Sequence, residues 1–316
     1  MLDPFRRICA VLFMITVLFS FPAGAAAARP IKIASVGWTG VTVKTDLAVS
    51  ILKSLGYEAE NFLVSVPIAY KAMESGDADA FMGNWLPSQN SICNPYFKNG
   101  SVLKYVKNMS GAKYTLAVPT YCAQAGLKDF KDIARFAEKL DWKIYGIEAG
   151  NDGNEIVQHM IDKNKFNLGK FTVVPSSEAG MLAQVQSYVR DKKWIVFLGW
   201  APHSMNEKID MTYLTGSTDE TFGSNDGTAS VWTNIRKGFD SEYPNAARLL
   251  KQMIFTVPMM NQIMLMMKND DSLTTVKAGL LWLRKHPDMY KKWLEGVKTV
   301  SGGPGLPAFE KVLESN

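Results

Sequence analysis

Apolar residues crowd the segment from Ile31 to Val36 and stop at Gly37-Trp38, the pattern of a buried strand. Between Thr45 and Leu55 the period changes. Ala48, Ile51, Leu52 and Leu55 then share one helical face, with Gly56 as the stop. Tyr57 to Val66 reads as a second strand, Pro67 to Glu74 as a short helix, and the stretch after Gly76-Asp77 as a third strand running into Trp85. A second round follows. It has strands at Tyr114–Val118, Trp142–Ile147, Phe171–Val174 and Trp194–Leu198, and helices at Phe130–Leu140, Glu155–Lys163 and Ala179–Asp191. The two rounds close alike, Phe81-Met82-Gly83-Asn84-Trp85-Leu86-Pro87-Ser88 against Phe197-Leu198-Gly199-Trp200-Ala201-Pro202-His203-Ser204. This βαβ alternation predicts an α/β fold of two similar lobes around a cleft. Thr215 to Gly227 reads as a loop, Ala229 to Asn234 as a strand, and the chain from Tyr243 onward as mostly helical. There Met259, Met260, Ile263, Met264 and Met267 form a core face.

The first 28 residues form a different unit. Arg6 and Arg7 precede an apolar run from Ile8 to Phe21, and Ala23 to Ala28 are small, which predicts a signal peptide cut near Ala26 to Ala28 and an exported, periplasmic protein. Cys9 lies ahead of the apolar run, so it is not the first residue of a lipid-anchored mature chain. The formal net charge of +5 falls by one when the leader takes two arginines and one aspartate with it, and no basic run marks a nucleic-acid surface. Two cysteines then remain, Cys93 and Cys122, in a compartment that permits oxidation. A disulfide between them is expected over two separate thiols.

Three strand segments end at a glycine and present a tryptophan: Gly37-Trp38, Gly83-Asn84-Trp85 and Gly199-Trp200. Ligands of open α/β sheets bind beyond the carboxyl ends of the strands, so three indoles are expected in one cleft. Aromatic faces suit a cation that no hydrogen bond can meet, above all a quaternary ammonium. Trp142, Trp194, Trp282 and Trp293 read as packing residues. Catalysis has little to stand on. The three histidines are His159, His203 and His286, and Gly-x-Ser-x-Gly, His-Glu-x-x-His and Walker motifs are absent. His203 is the one histidine near the expected cleft, so neither an enzyme, a metal nor a cofactor is expected.

Val36-Gly37-Trp38-Thr39, Gly83-Asn84-Trp85-Leu86-Pro87, Gly111 to Pro119, Gly150-Asn151-Asp152-Gly153-Asn154 and Phe197-Leu198-Gly199-Trp200 closely resemble, in order, the choline-binding proteins in the glycine betaine and choline group of ABC importers. The resemblance implies a type II periplasmic binding fold: lobe 1 from residues 29–113 and 220–316, lobe 2 from 114–219, and a hinge between them. It also implies an aromatic box of Trp38, Trp85, Tyr114 and Trp200, with Asn151 meeting the polar end of the ligand. Read from the residues themselves, Asp152 or Asn154 caps the helix that starts at Glu155, with Asp152 also a secondary contact. The implied ligand is a quaternary ammonium compound, choline first, and the implied partner is an ABC permease serving a monomeric binding protein. Choline-selective members usually carry an aspartate two residues after the first box tryptophan, where this chain has Gly40. Glycine betaine and carnitine are the alternatives within the class, and a ligand-presenting sensor is a more distant one.

Overall fold

The computed structural model describes residues 29–315, so the leader expected at residues 1–28 lies outside the described residues. Among the described residues nine strands form one sheet: β1 Ile31–Ser35, β2 Ala59–Leu63, β3 Ala80–Leu86, β4 Val102–Pro119, β5 Lys143–Tyr145, β6 Thr172–Val174, β7 Phe197–Ala201, β8 Met211–Tyr213 and β9 Thr228–Arg236. Their order is β2-β1-β3-β9-β4-β7-β5-β6, with β8 paired to β4. Strands β2-β1-β3 are parallel, as are β7-β5-β6, and each trio is the βαβ unit expected from one sequence round. Between them run two antiparallel strands, β9, which lies outside both rounds, and β4, whose second half is the Tyr114–Val118 strand expected to open the second round.

Strand β4 is far longer than the Tyr114–Val118 segment that alternation predicts. Its first half, Val102 to Ala112, pairs with β9 through three register shifts, and each shift breaks the period of two by which a strand is read. At Lys113 the strand changes neighbours, lying opposite both Thr228 of β9 and Ala201 of β7. The expected boundary between residues 113 and 114 therefore falls inside a continuous strand.

The helix Thr39–Ser54 begins six residues earlier than its apolar face predicts, directly after Trp38. Helices Val257–Asn269 and Thr275–Lys285 pack against it, with Met259, Met260, Ile263 and Met264 buried. Trp282 stacks on His286 with ring centroids 3.7 Å apart, and the Trp293 indole donates to the Ile254 carbonyl, so both pack as predicted. The segment expected as a helix at Phe130–Leu140 is a 3-10 helix, Phe130–Phe136, opened by the reciprocal cap of Asp129 and Asp132.

The expected disulfide does not form: Cys93 and Cys122 are both free and buried. Cys93 sits in the helix Asn90–Lys98 beside Tyr70, whereas Cys122 sits in the short helix after β4, facing the Ile195 backbone. Each thiol fills the apolar layer of its own round, where burial raises its pKa to about 11.

Candidate ligand-binding site

The cage is assembled by pairing across strands and by one helix start. Tyr114 and Trp200 lie directly opposite each other on β4 and β7, and their rings meet edge to face at 6.2 Å and 84°. Trp85, on β3, meets the other side of Tyr114 at 6.0 Å and 66°. Trp38 is the residue that precedes the helix Thr39–Ser54. All four rings are buried, at 6–8% exposure, and all four line one cavity with about 480 Å³ of space between atoms. Trp85 and Trp200 lie within their strands, one residue before the last, rather than beyond the strand ends.

Three of the rings are held from behind. The Trp38 indole N–H donates to Glu148 Oε1 at 2.8 Å, across the cleft. The Tyr114 hydroxyl donates to Asn151 Oδ1 at 3.0 Å, and Phe222 packs on the Tyr114 ring at 5.3 Å. Trp200 leans on His203 at 5.2 Å. The Met205 backbone N–H donates to His203 Nδ1, so the proton sits on Nε2 and points at Glu178 Oε1, 3.1 Å away. The Trp85 indole N–H is buried without an acceptor.

Asn151 is 1% exposed and does not line the cavity. It is the cap of the helix Asp152–Asp162, accepting from the backbone N–H groups of Gly153 at 2.8 Å and Asn154 at 3.3 Å. The cap is therefore Asn151 rather than the expected Asp152 or Asn154. Asn154 instead ties the Ile147 backbone through both its amide atoms. Asp152 is fully buried behind the cage, and burial raises its carboxyl to about 7. Burial also raises Glu148 above the usual carboxylate range.

Close packing at Gly153 lets the Tyr114 hydroxyl reach Asn151. A Cβ there would stand 2.0 Å from that hydroxyl oxygen. Gly153→Ala therefore displaces the ring, and calorimetric titration should show ligand affinity lower by about 10–30-fold, the loss of one desolvated cation–π face.

Gly40 lines the cavity, and so do residues that the expected box omits: Val41, Lys44, Met109 and Met260. No acidic side chain is among the lining residues. Lys44 is 2% exposed. Its Nζ donates to Asn108 Oδ1 at 3.1 Å and stands 5.7 Å from the centre of the Phe255 ring. A sequence signal for it existed. The apolar face Ala48, Ile51, Leu52, Leu55 extends back by one turn onto Lys44 and by two onto Gly40 and Val41, toward the cleft.

Two α/β units joined by β4 and β9, with an aromatic cavity walled by both, define a two-lobed solute-binding protein of type II periplasmic architecture. The chain belongs to the family described as the substrate-binding domain of ABC-type glycine betaine transport systems, which it matches over residues 29–285. It is 45% identical to an ABC-transporter choline-binding protein in complex with choline. That match has a TM-score of 0.87 and covers 90% of this chain and 98% of that one. An ABC-transporter choline-binding protein in an unliganded, semi-closed conformation matches at the same identity and coverage with a TM-score of 0.82. The glycine betaine/carnitine transport binding protein GbuC of Listeria monocytogenes is 29% identical over 165 residues, 52% of this chain and 53% of that one. Membership places the protein in a transport system, outside the cytoplasm and serving a permease, rather than in an enzyme family.

Proposed function

We propose that this protein captures a trimethylammonium compound in the cage of Trp38, Trp85, Tyr114 and Trp200 and delivers it, as a periplasmic monomer, to an ABC permease. The carrying observation is the set of four buried rings on one cavity, two of them in edge-to-face contact with Tyr114. Choline is the reference ligand, because the cage residues lie in the segments shared with choline-binding proteins and the choline-bound relative matches over nearly its whole length. In this reading lobe 1 is residues 29–113 and 220–316 and lobe 2 is residues 114–219. Closure is a hinge equilibrium that the ligand biases by contacting both lobes.

Each desolvated cation–π face contributes about 2 kcal/mol, so a cage of several rings supports binding on the order of micromolar or tighter. Asn151 contributes by fixing the Tyr114 hydroxyl and so the angle of that ring. The test is calorimetric titration of ligand-free mature protein with choline, glycine betaine and carnitine. Saturable binding of at least one is expected, and no heat with any of them would remove the quaternary-ammonium reading. A zwitterion is the second reading, favoured by the open Gly40 position and by the buried lysine one turn further along the same helix.

A further inference from the structure

Asp152 carries a carboxyl that the protein shields from water without giving it a counter-charge. It is 1% exposed and does not line the cavity. One oxygen, Oδ1, accepts from the Asn151 side-chain amide at 3.2 Å, and the other, Oδ2, is buried without a hydrogen-bond partner. Among the described residues it has no ion-pair partner. A carboxylate offers about four acceptor sites, so this surrounding leaves the charged form largely unsolvated.

Groups from both proposed lobes enclose it. On its own side stand Glu148, Glu155 and Tyr114, none of them a cation. From the other lobe comes Ser88, just beyond β3, whose hydroxyl also donates to the Trp85 carbonyl at 3.2 Å. Tyr70 of the helix Val66–Ser75 and Cys93 of the helix Asn90–Lys98, in the same lobe, lie within range of its charge. Burial is the largest influence on the carboxyl, and repulsion by Glu148 and Glu155 adds to it. The Ser88 hydroxyl and the backbone N–H at the helix start oppose it without prevailing, so the group titrates near 7 rather than at the ordinary 3.8. Hinge opening would draw Ser88, Tyr70 and Cys93 away from the start of the helix Asp152–Asp162 and admit water to the carboxyl. Hydration removes the main reason for holding the proton.

We infer that Asp152 couples a proton to lobe closure: its carboxyl is neutral when the lobes shut on a ligand and ionised when they part, so capture takes up a proton and release returns it. This rests on the cage and hinge reading above and adds a regulation to it. An acid that is weaker in the closed form favours closure at low pH. That contribution is complete below about 3.8, is lost as pH rises toward 7, and is absent above it.

The test is calorimetric titration of wild type and Asp152→Asn with choline and glycine betaine, neither of which titrates in the range used. The amide keeps the shape of the neutral acid and cannot ionise. At pH 5.5, wild type should take up about one proton more per ligand than the variant, read from the heats in two buffers of different ionisation enthalpy. Between pH 5.5 and pH 8 the wild-type affinity should fall by about 10–30-fold relative to the variant. Glu148, His203 and Lys44 are common to both proteins, so their protons cancel in the comparison. Ser88→Ala removes a hydroxyl that favours the carboxylate, so its proton uptake should persist to higher pH than that of wild type. If Asp152→Asn does not fold, Ser88→Ala carries the test, and an uptake profile matching wild type overturns the inference. Equal proton uptake and an equal pH profile in wild type and Asp152→Asn would also overturn it, and would leave the cage standing. Wild type that binds neither ligand would instead remove the cage.

Discussion

Replacing Trp85 and Trp200 together by leucine lowers the affinity for a trimethylammonium ligand by about 1000-fold, as two desolvated cation–π faces of about 2 kcal/mol each are lost. Leucine keeps the site apolar and removes the ring quadrupole, so the experiment separates electrostatic attraction from burial. The two rings flank Tyr114 from β3 and β7, so one is lost from each wall of the cleft. Calorimetry measures the affinity, and far-UV circular dichroism with thermal unfolding reports on the fold. Trp282→Leu is the control. That ring packs on His286, away from the cavity, so its loss lowers thermal stability and leaves affinity unchanged. Wild-type affinity in the double variant would show that the rings only pack against one another.

Glu178→Ala is expected to weaken every ligand by about 10–100-fold without touching any of them. The helix Thr39–Ser54 starts at Trp38, which offers its orphan N–H groups no side-chain acceptor. Glu178, in the first turn of the helix Glu178–Arg190, supplies one from the opposite lobe. It accepts from the Thr39 hydroxyl and from the Thr39 backbone N–H at 3.2 Å, and it holds His203 behind Trp200. Hydrogen bonds to a charged group contribute about 1.5–3 kcal/mol, and these span the cleft, so they stabilise the closed form alone. The distinguishing readout is small-angle scattering of the ligand-saturated protein. The variant should keep a larger radius of gyration than wild type at equal saturation, and an unchanged radius together with unchanged affinity would remove the latch.

The parts of the site legible in the sequence were those governed by local pattern. A strand that stops at glycine and then shows an indole is a short-range signal, and it located Trp38, Trp85 and Trp200 from neighbouring residues alone. Tyr114 carries no such signal. It sits where β4 changes partners, a property of residues more than 80 positions away, and it entered through family resemblance. Asn151 sits in the expected turn, where it caps the helix and holds the Tyr114 hydroxyl. The helix begins at Asp152, three residues before the apolar pattern starts, so Asn151 and not its neighbours became the cap. Lys44 was missed because the helix was read from Thr45 onward. A lysine on an apolar face was there to be seen once the helix was carried back to Trp38.

The place of β9 in the sheet also governs how this chain folds. Residues Thr228–Arg236 lie between β3 and β4, strands completed more than 100 residues earlier. Until that segment has emerged, β3 and β4 are facing edges with no strand between them, and the loop to be closed is long. A chain threaded outward from its N-terminus thus completes its central sheet late, after more than two-thirds of its residues have passed. Closure of this kind makes the last third of the sequence the part that commits the molecule to its fold.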